Sequence, residues 1–148
     1  MSRPFPLQAV LDLMRSRNDA ATQRLASLIA AERDARKTLA MLLQYRDEYT
    51  TRFRQAVQDG LDQPEWRNYQ QFLDRLDEAV RQQEQTAKLK AAHTAAGQAE
   101  WQRQRSRLNA FDTLSERHRT GEARRELRHE QKLQDEFAAR GRDDQQEQ

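Results

Sequence analysis

Three histidines and many scattered carboxylates are the side chains of this sequence best suited to metal or acid–base chemistry. His93, His118 and His129 lie far apart and lack acidic neighbours at the spacing that metal ligands need. The chain has no cysteine, which excludes a disulfide framework and a thiolate metal site. We therefore interpret the histidines as solvated residues on helix surfaces and expect no bound metal.

The remaining residue types do not indicate catalysis either. With four glycines in the whole chain, a Gly-rich loop that binds phosphate is not expected. The carboxylates are spread along charged faces, where pairs one helical turn apart, such as Glu32 and Arg36, are their ordinary use. The sequence thus predicts a protein that is not an enzyme and needs no cofactor.

The elements that would position these side chains are two very long helices. No glycine or proline occurs between Pro6 and Gly60, and apolar residues recur there at alternating steps of four and three. A seven-residue repeat of this length is typical of a coiled coil. The first stripe contains three polar residues and reads Leu7, Leu11, Met14, Asn18, Ala21, Leu25, Leu28, Glu32, Ala35, Leu39, Leu42, Arg46, Tyr49, Phe53 and Ala56.

A hairpin is predicted from the residues that follow. Gly60 suits a left-handed helix cap, and Asp62 with Glu65 three residues later is typical of a capping box. Two long helices joined by a short connection lie antiparallel. The second stripe reads Trp66, Tyr69, Leu73, Leu76, Val80, Gln83, Ala87, Lys90, Thr94, Gly97, Trp101, Gln104, Leu108 and Phe111.

We therefore predict an all-α fold, a long antiparallel two-helix coiled-coil hairpin that forms a single domain over residues 1–148. Helix one covers about 7–59, the turn 60–64 and helix two about 63–139, and residues 141–148 form a disordered tail. Folding at 62–63 pairs residues whose numbers sum to about 125. This pairing places Phe53 near Leu73 and Leu28 near Gly97.

Composition limits the class of protein further. A hydrophobic fraction of 36% and a charged fraction of 34% allow a buried seam but not a thick two-layer core. The formal net charge of +2 does not by itself indicate nucleic-acid binding. The longest apolar runs are too short to span a bilayer, and the first residues lack the apolar core of a secretory signal. We expect a soluble cytoplasmic protein.

Two surfaces are candidates for binding. Tyr45, Phe72 and Ala79 lie beside the seam but outside its stripe, so they either broaden the seam near the turn or form an exposed patch that binds a partner. Beyond about residue 118 the second helix has no partner in this register. Its basic residues form either a solvated face or a contact for an acidic protein surface, and acidic residues between them disfavour nucleic acid. They are Arg117, Arg119, Arg124, Arg125, Arg128 and Lys132.

Four segments carry a family pattern. They are Phe5-Pro-Leu-Gln-Ala-Val-Leu-Asp-Leu, Leu39-Ala-Met-Leu-Leu-Gln-Tyr-Arg-Asp-Glu-Tyr49, Trp66-Arg-Asn-Tyr-Gln-Gln-Phe72 and Asp135-Glu-Phe-Ala-Ala-Arg140. Together these segments resemble the FliJ family, small coiled-coil proteins of the bacterial flagellar type III export apparatus. The resemblance extends over nearly the whole chain.

The resemblance implies a non-enzymatic export component whose hairpin is similar to the central stalk subunit of rotary ATPases. It implies binding to the hexameric flagellar export ATPase, to the transmembrane export gate protein and to export chaperones, at the inner membrane. Gate binding carries over onto Leu42, Tyr45, Tyr49, Phe72, Leu76 and Ala79, with departures from the family at Thr38 and Gln83. For the ATPase ring we expect contacts from Leu7, Leu11, Arg117, Arg124, Arg125 and Arg128.

Two alternatives stay open at this point. The chain could be a nucleic-acid-associated or cytoskeletal coiled-coil scaffold, whose binding to DNA would fall steeply with salt. It could also be a homodimer whose helices pair between chains. We expect a monomer when the protein is free, because a single chain supplies both helices of the hairpin.

Overall fold

The computed structural model describes residues 3–147, and in this range the chain forms two α-helices and no strand. The first helix, α1, spans Gln8–Asp59 and contains 52 residues. The second helix, α2, spans Gln63–Gln146 and contains 84 residues. The predicted all-α hairpin is confirmed.

The connection between the helices follows the predicted capping chemistry. Gly60 has a φ of 95°, and its N–H donates to the Val57 carbonyl at 3.3 Å. Asp62 Oδ1 accepts a hydrogen bond from the Glu65 N–H at 2.9 Å, which satisfies a free donor in the first turn of α2. A residue with a side chain would be strained at the φ of Gly60, so this glycine ends α1.

The far end of α2 differs from the expected helix end near Ala139. The helix continues to Gln146, and the Glu147 N–H still donates to the Asp143 carbonyl at 3.3 Å. Gly141 lowers helix propensity, but no proline interrupts the backbone hydrogen bonds there. The disorder predicted for residues 141–148 stays a prediction, and Gln148 lies outside the described residues.

One compact unit contains residues 20–102, which include the connection. In this unit the two helices run antiparallel, and Ala21, Ala35, Leu76 and Val80 are buried between them. Next to the connection the Phe53 ring lies 5.7 Å from the Tyr69 ring, measured between centroids. The seam therefore closes on aromatic rings at its turn end.

The predicted pairing of Leu28 with Gly97 is found in this unit, whereas other pairs are shifted slightly from the predicted register. Phe53 contacts Trp66 and Tyr69, one turn closer to the connection than Leu73. The pair Thr22 and Trp101 and the pair Leu28 and Thr94 have numbers summing to 123 and 122, where about 125 was predicted. The reason is the connection, because α2 already begins at Gln63 and the chain reverses about residue 61.

The other compact unit contains the described residues up to 19 and from 103 onward. Leu11, Met14 and Asn18 are its buried residues from α1, and Leu11 is 1% exposed. An ion pair between Arg15 and Asp112, with 3.4 Å between nitrogen and oxygen, crosses from α1 to α2. From residue 123 onward every described side chain of α2 is exposed.

The two predicted stripes coincide with the observed seam. Each stripe position from Leu11 to Ala56 and from Tyr69 to Phe111 is buried or half-buried. The first member of each stripe is exposed, at 40% for Leu7 and 47% for Trp66. Leu7 directly precedes α1, and Trp66 lies in the first turn of α2.

Candidate protein-binding site

The described chain offers no cluster suited to metal chemistry. Among residues 3–147 no three histidine, cysteine or acidic side chains come together in a way that could hold a metal ion. His93 and His129 are exposed.

The interpretation of His118 as a solvated residue is wrong. Its ring is half-buried, lies 5.6 Å from the Phe5 ring, and places Nε2 2.9 Å from the Arg3 carbonyl oxygen. Beside it Glu122, 7% exposed, accepts a hydrogen bond from the Arg3 N–H at 3.3 Å and pairs with Arg125 at 3.1 Å. These two residues of α2 hold the segment that precedes α1.

On α1, the residues predicted to bind the export gate lie on one face of the helix, near the connection to α2. Leu42, Tyr45 and Tyr49 are spaced by three and four residues, so their side chains project from neighbouring turns of the same side. Leu42 and Tyr49 are half-buried, whereas Tyr45 is 51% exposed. The Tyr45 ring is thus available to a partner.

On α2, the predicted residues divide between the seam and the surface. Phe72 is 38% exposed, Ala79 is half-buried, and Leu76 is buried at 9% exposure. The Phe72 ring lies 4.1 Å from the Tyr49 ring, which joins the two helices at the surface. Of the three off-seam residues, Ala79 is half-buried, as a broadened seam would have it, whereas Tyr45 and Phe72 are exposed, as a binding patch would have it. We call the surface formed by these six residues of α1 and α2 the turn-end patch.

The residues predicted to contact the ATPase ring lie toward the end with the chain termini, and they differ in how exposed they are. Arg117, Arg124, Arg125 and Arg128 are exposed, and Leu7 is 40% exposed. Leu11 is 1% exposed, so its side chain packs inside its own unit. The arginines and Leu7 can meet a partner directly, and Leu11 can act on such a contact through packing.

Comparison with known proteins decides the family. A sequence profile described as Flagellar FliJ protein matches residues 2–147. The chain belongs to the FliJ family. It is 31% identical over 140 residues to the Flagellar FliJ protein of Escherichia coli (strain K12), and 29% identical over 140 residues to that of Salmonella typhi, with 95% of each chain covered in both cases.

FliJ membership makes the chain a flagellar protein and supports a place in flagellar export. It agrees with the all-helical fold of the described residues. In the described range, neither helix has a stretch that is both long and apolar enough to cross a membrane.

The two positions expected from the resemblance to depart from the family, Thr38 and Gln83, make contacts within the hairpin. Gln83 donates from Nε2 to the Ala35 carbonyl at 3.0 Å, which crosses the seam. Thr38 Oγ1 donates to the Asp34 carbonyl at 3.1 Å, one turn back along α1. Arg46 and Asp77 approach to 3.8 Å between the helices beside the turn-end patch. The margin of the patch is thus fixed by polar contacts.

Sequence reasoning missed a hollow beside the turn-end patch. It has a volume of about 600 Å³ and is lined in part by Tyr49, Gly60, Tyr69, Phe72 and Arg75. The combination of an aromatic-rich stretch with a glycine-capped turn was its sequence signal. The hollow gives a partner side chain a place to enter next to the exposed rings.

Proposed function

We propose that this chain is a non-enzymatic component of the flagellar export apparatus that joins other proteins of that apparatus. In this proposal the turn-end patch binds the transmembrane export gate, and the end with the chain termini binds the hexameric export ATPase. Binding to the ring promotes its assembly and couples it to the gate, and the same protein escorts export chaperones. The free protein is a monomer when dilute, because each unit draws both of its helices from one chain.

The exposed aromatic rings of the turn-end patch are the observation that carries the gate-binding proposal. Tyr45 and Phe72 are 51% and 38% exposed. Contact with Tyr49 holds the Phe72 ring in place, so little side-chain freedom is lost when a partner binds. Aromatic residues on a pre-ordered base are typical of interface hot spots.

Exposed arginines support the ATPase part of the proposal. Arg117, Arg124 and Arg128 present planar cations, which suit carboxylates on an acidic surface of a ring. A helical end inside a ring can contact different subunit conformations with different affinity. Such a difference in affinity is what coupling between sites requires.

Binding to the purified cytoplasmic part of the gate protein, measured by isothermal titration calorimetry, tests the turn-end patch. We expect Tyr45→Ala and Phe72→Ala each to weaken binding at least about tenfold, as loss of a hot-spot ring does. Leu89→Ala is a matched control, since Leu89 is 54% exposed in the same unit but away from the patch. Equal affinities for all three variants would overturn the assignment.

The ATPase part is tested separately, by the rate of ATP hydrolysis of the export ATPase with and without this protein. We expect Arg124→Glu and Arg128→Glu to lower the stimulation, whereas Arg67→Glu, an exposed arginine at the turn end, leaves it unchanged.

Binding measured at two salt concentrations separates this function from that of a nucleic-acid scaffold. An affinity for DNA that exceeds the affinity for the export ATPase and falls steeply with salt would favour the scaffold.

A further inference from the structure

Beyond Glu122, which contacts the segment that precedes α1, the helix α2 exposes large apolar side chains. Leu127 is 64% exposed, Leu133 51% and Phe137 80%. The seam row of α2 ends with Phe111, Ser115, His118 and Glu122, and its continuation at the same spacing is polar throughout. That continuation consists of Arg125, His129, Lys132 and Glu136. The exposed apolar residues therefore lie on a face different from the hairpin seam.

This second face has a regular pattern of its own. At steps of four and three it carries a central row of Ala123, Leu127, Glu130, Gln134, Phe137 and Gly141. Along one edge, seven residues apart, it carries a flanking row of Arg119, Glu126, Leu133, Arg140 and Glu147. A central row with a flanking row is the arrangement by which one helix packs against another. We call this surface the overhang face.

The charge of the α2 segment that carries the overhang face reverses along its length. Residues 117–132 contain six lysines or arginines and three glutamates. Residues 133–147 contain two arginines and five acidic residues. A basic half joined to an acidic half is complementary to itself when one copy is turned end for end.

We propose that the overhang face binds the overhang face of a second copy of this chain, with the two α2 segments antiparallel and centred on Lys132 and Leu133. In the central row Leu127 then meets Phe137 of the other copy, and Glu130 meets Gln134. In the flanking row Arg119 meets Glu147, Glu126 meets Arg140, and Leu133 meets its own counterpart. Each charged residue of the flanking row thus faces an opposite charge.

The order of basic and acidic residues along this segment favours a second copy of the chain as the partner of the overhang face. An acidic surface of another protein matches residues 117–132 but opposes residues 133–147, whereas the reversed copy matches both. On the opposite edge of the face Arg124 meets Ala138 and Gln131 meets its own counterpart, so no like charges face each other there. A parallel copy would place the basic half of the segment beside the basic half and the acidic half beside the acidic half.

This self-association goes beyond the proposed function and does not depend on it. The contact is short and carries three large apolar side chains from each copy, so the dilute protein is a monomer and pairs as concentration rises. It covers the arginine-bearing part of α2, so a paired chain cannot offer the same surface elsewhere.

Sedimentation equilibrium of the full chain over a range of concentrations is the first test. We expect a reversible monomer–dimer equilibrium, and we expect Phe137→Asp to raise its dissociation constant at least about tenfold. Leu89→Asp is the control, because it places the same charge on an exposed leucine of the other unit. A chain that stays monomeric into the millimolar range overturns the proposal, as does a dimer that is indifferent to Phe137→Asp.

A charge exchange tests the pairing of Glu126 with Arg140. We expect Glu126→Arg and Arg140→Glu each to weaken the dimer about fivefold, and the double variant to restore it, because two such ion pairs form in each dimer. Lys132→Glu makes the same charge change as Arg140→Glu but on the outward side of α2, and it should have little effect. Helicity measured by circular dichroism should be the same in all four variants. A double variant as weak as either single one would overturn this register.

Orientation is tested with nitroxide labels at introduced cysteines, which are unambiguous because the chain has none of its own. In the antiparallel dimer the labels of Gln131→Cys should lie within about 15 Å of each other, since packed helices are about 10 Å apart. The labels of Gln145→Cys should lie about 40 Å apart, at 1.5 Å per residue. Short distances at both positions would indicate a parallel dimer and contradict the proposal.

Discussion

Leu28 packs directly against the backbone of Gly97. A Cβ placed on Gly97 would lie 2.5 Å from Leu28 Cδ1 and 3.7 Å from Leu25 Cδ1. The Thr94 hydroxyl, one turn away, lies 3.1 Å from the Lys90 carbonyl oxygen of its own helix and 3.3 Å from the Leu28 carbonyl oxygen of α1, so its one proton is shared between the two helices. The glycine thus has a packing reason inside a helix where its propensity is unfavourable.

Replacing Gly97 or Gly121 of α2 by alanine should separate the effect of packing on stability from the effect of helix propensity. We expect Gly121→Ala to stabilise the chain by up to about 1 kcal/mol, because a Cβ there meets no neighbour and helix propensity improves. Gly97→Ala should gain less or lose stability, since Leu28 must leave its position. Urea unfolding followed by circular dichroism measures both. Equal gains at the two positions would show that Leu28 repacks at no cost.

The seam could be read from the sequence because it depends on a strict repeat. A four–three pattern without glycine or proline specifies which side of each helix is buried, and polar residues such as Asn18 do not disturb it. The register was less well determined, as Phe53 against Tyr69 shows. Register depends on where the chain reverses, and a capping pattern fixes that point only to within about two residues.

The buried end of the first stripe allows a stability prediction. Leu11 is 1% exposed, so Leu11→Ala should destabilise the chain by about 2–3 kcal/mol through lost burial and the cavity that remains. Leu7→Ala removes the same atoms from a side chain that is 40% exposed, and it should cost less than about 1 kcal/mol. Thermal and urea unfolding of the two variants measure the difference. A Leu11→Ala variant as stable as Leu7→Ala would contradict the packing at this end.

The connection offers a pair of acidic residues with opposite expected effects. Asp62 Oδ1 caps α2 through the Glu65 N–H at 2.9 Å, so Asp62→Ala should cost about 0.5–2 kcal/mol. Asp59 is the last residue of α1, where a negative charge opposes the helix dipole. Asp59→Ala should therefore leave stability unchanged or raise it by about 0.3–1 kcal/mol. The same unfolding measurement distinguishes them, and an equal loss from both would point to a general charge effect.

The contacts of His118 and Glu122 could not be predicted from the sequence. Both lie in a run of alternating charges, which is typical of a solvated helix face. Their burial comes from residues 3–5, which lie more than a hundred positions earlier in the chain and have no periodic pattern. The turn-end patch was more accessible to sequence reasoning, because Tyr45 and Phe72 are apolar residues outside a well-defined stripe.

The two exposed rings of the turn-end patch should differ in their effect on stability. The Phe72 ring contacts the Tyr49 ring at 4.1 Å, so Phe72→Ala should cost about 0.5–1.5 kcal/mol for the ring pair, in addition to lost burial. Tyr45 is 51% exposed, and Tyr45→Ala should change stability by no more than about 0.5 kcal/mol. Phe72→Leu is an intermediate variant, which keeps most apolar burial and loses the aromatic contact. Unfolding free energies should therefore fall from Tyr45→Ala through Phe72→Leu to Phe72→Ala, and a large loss for Tyr45→Ala would place that ring in the seam instead of on the surface.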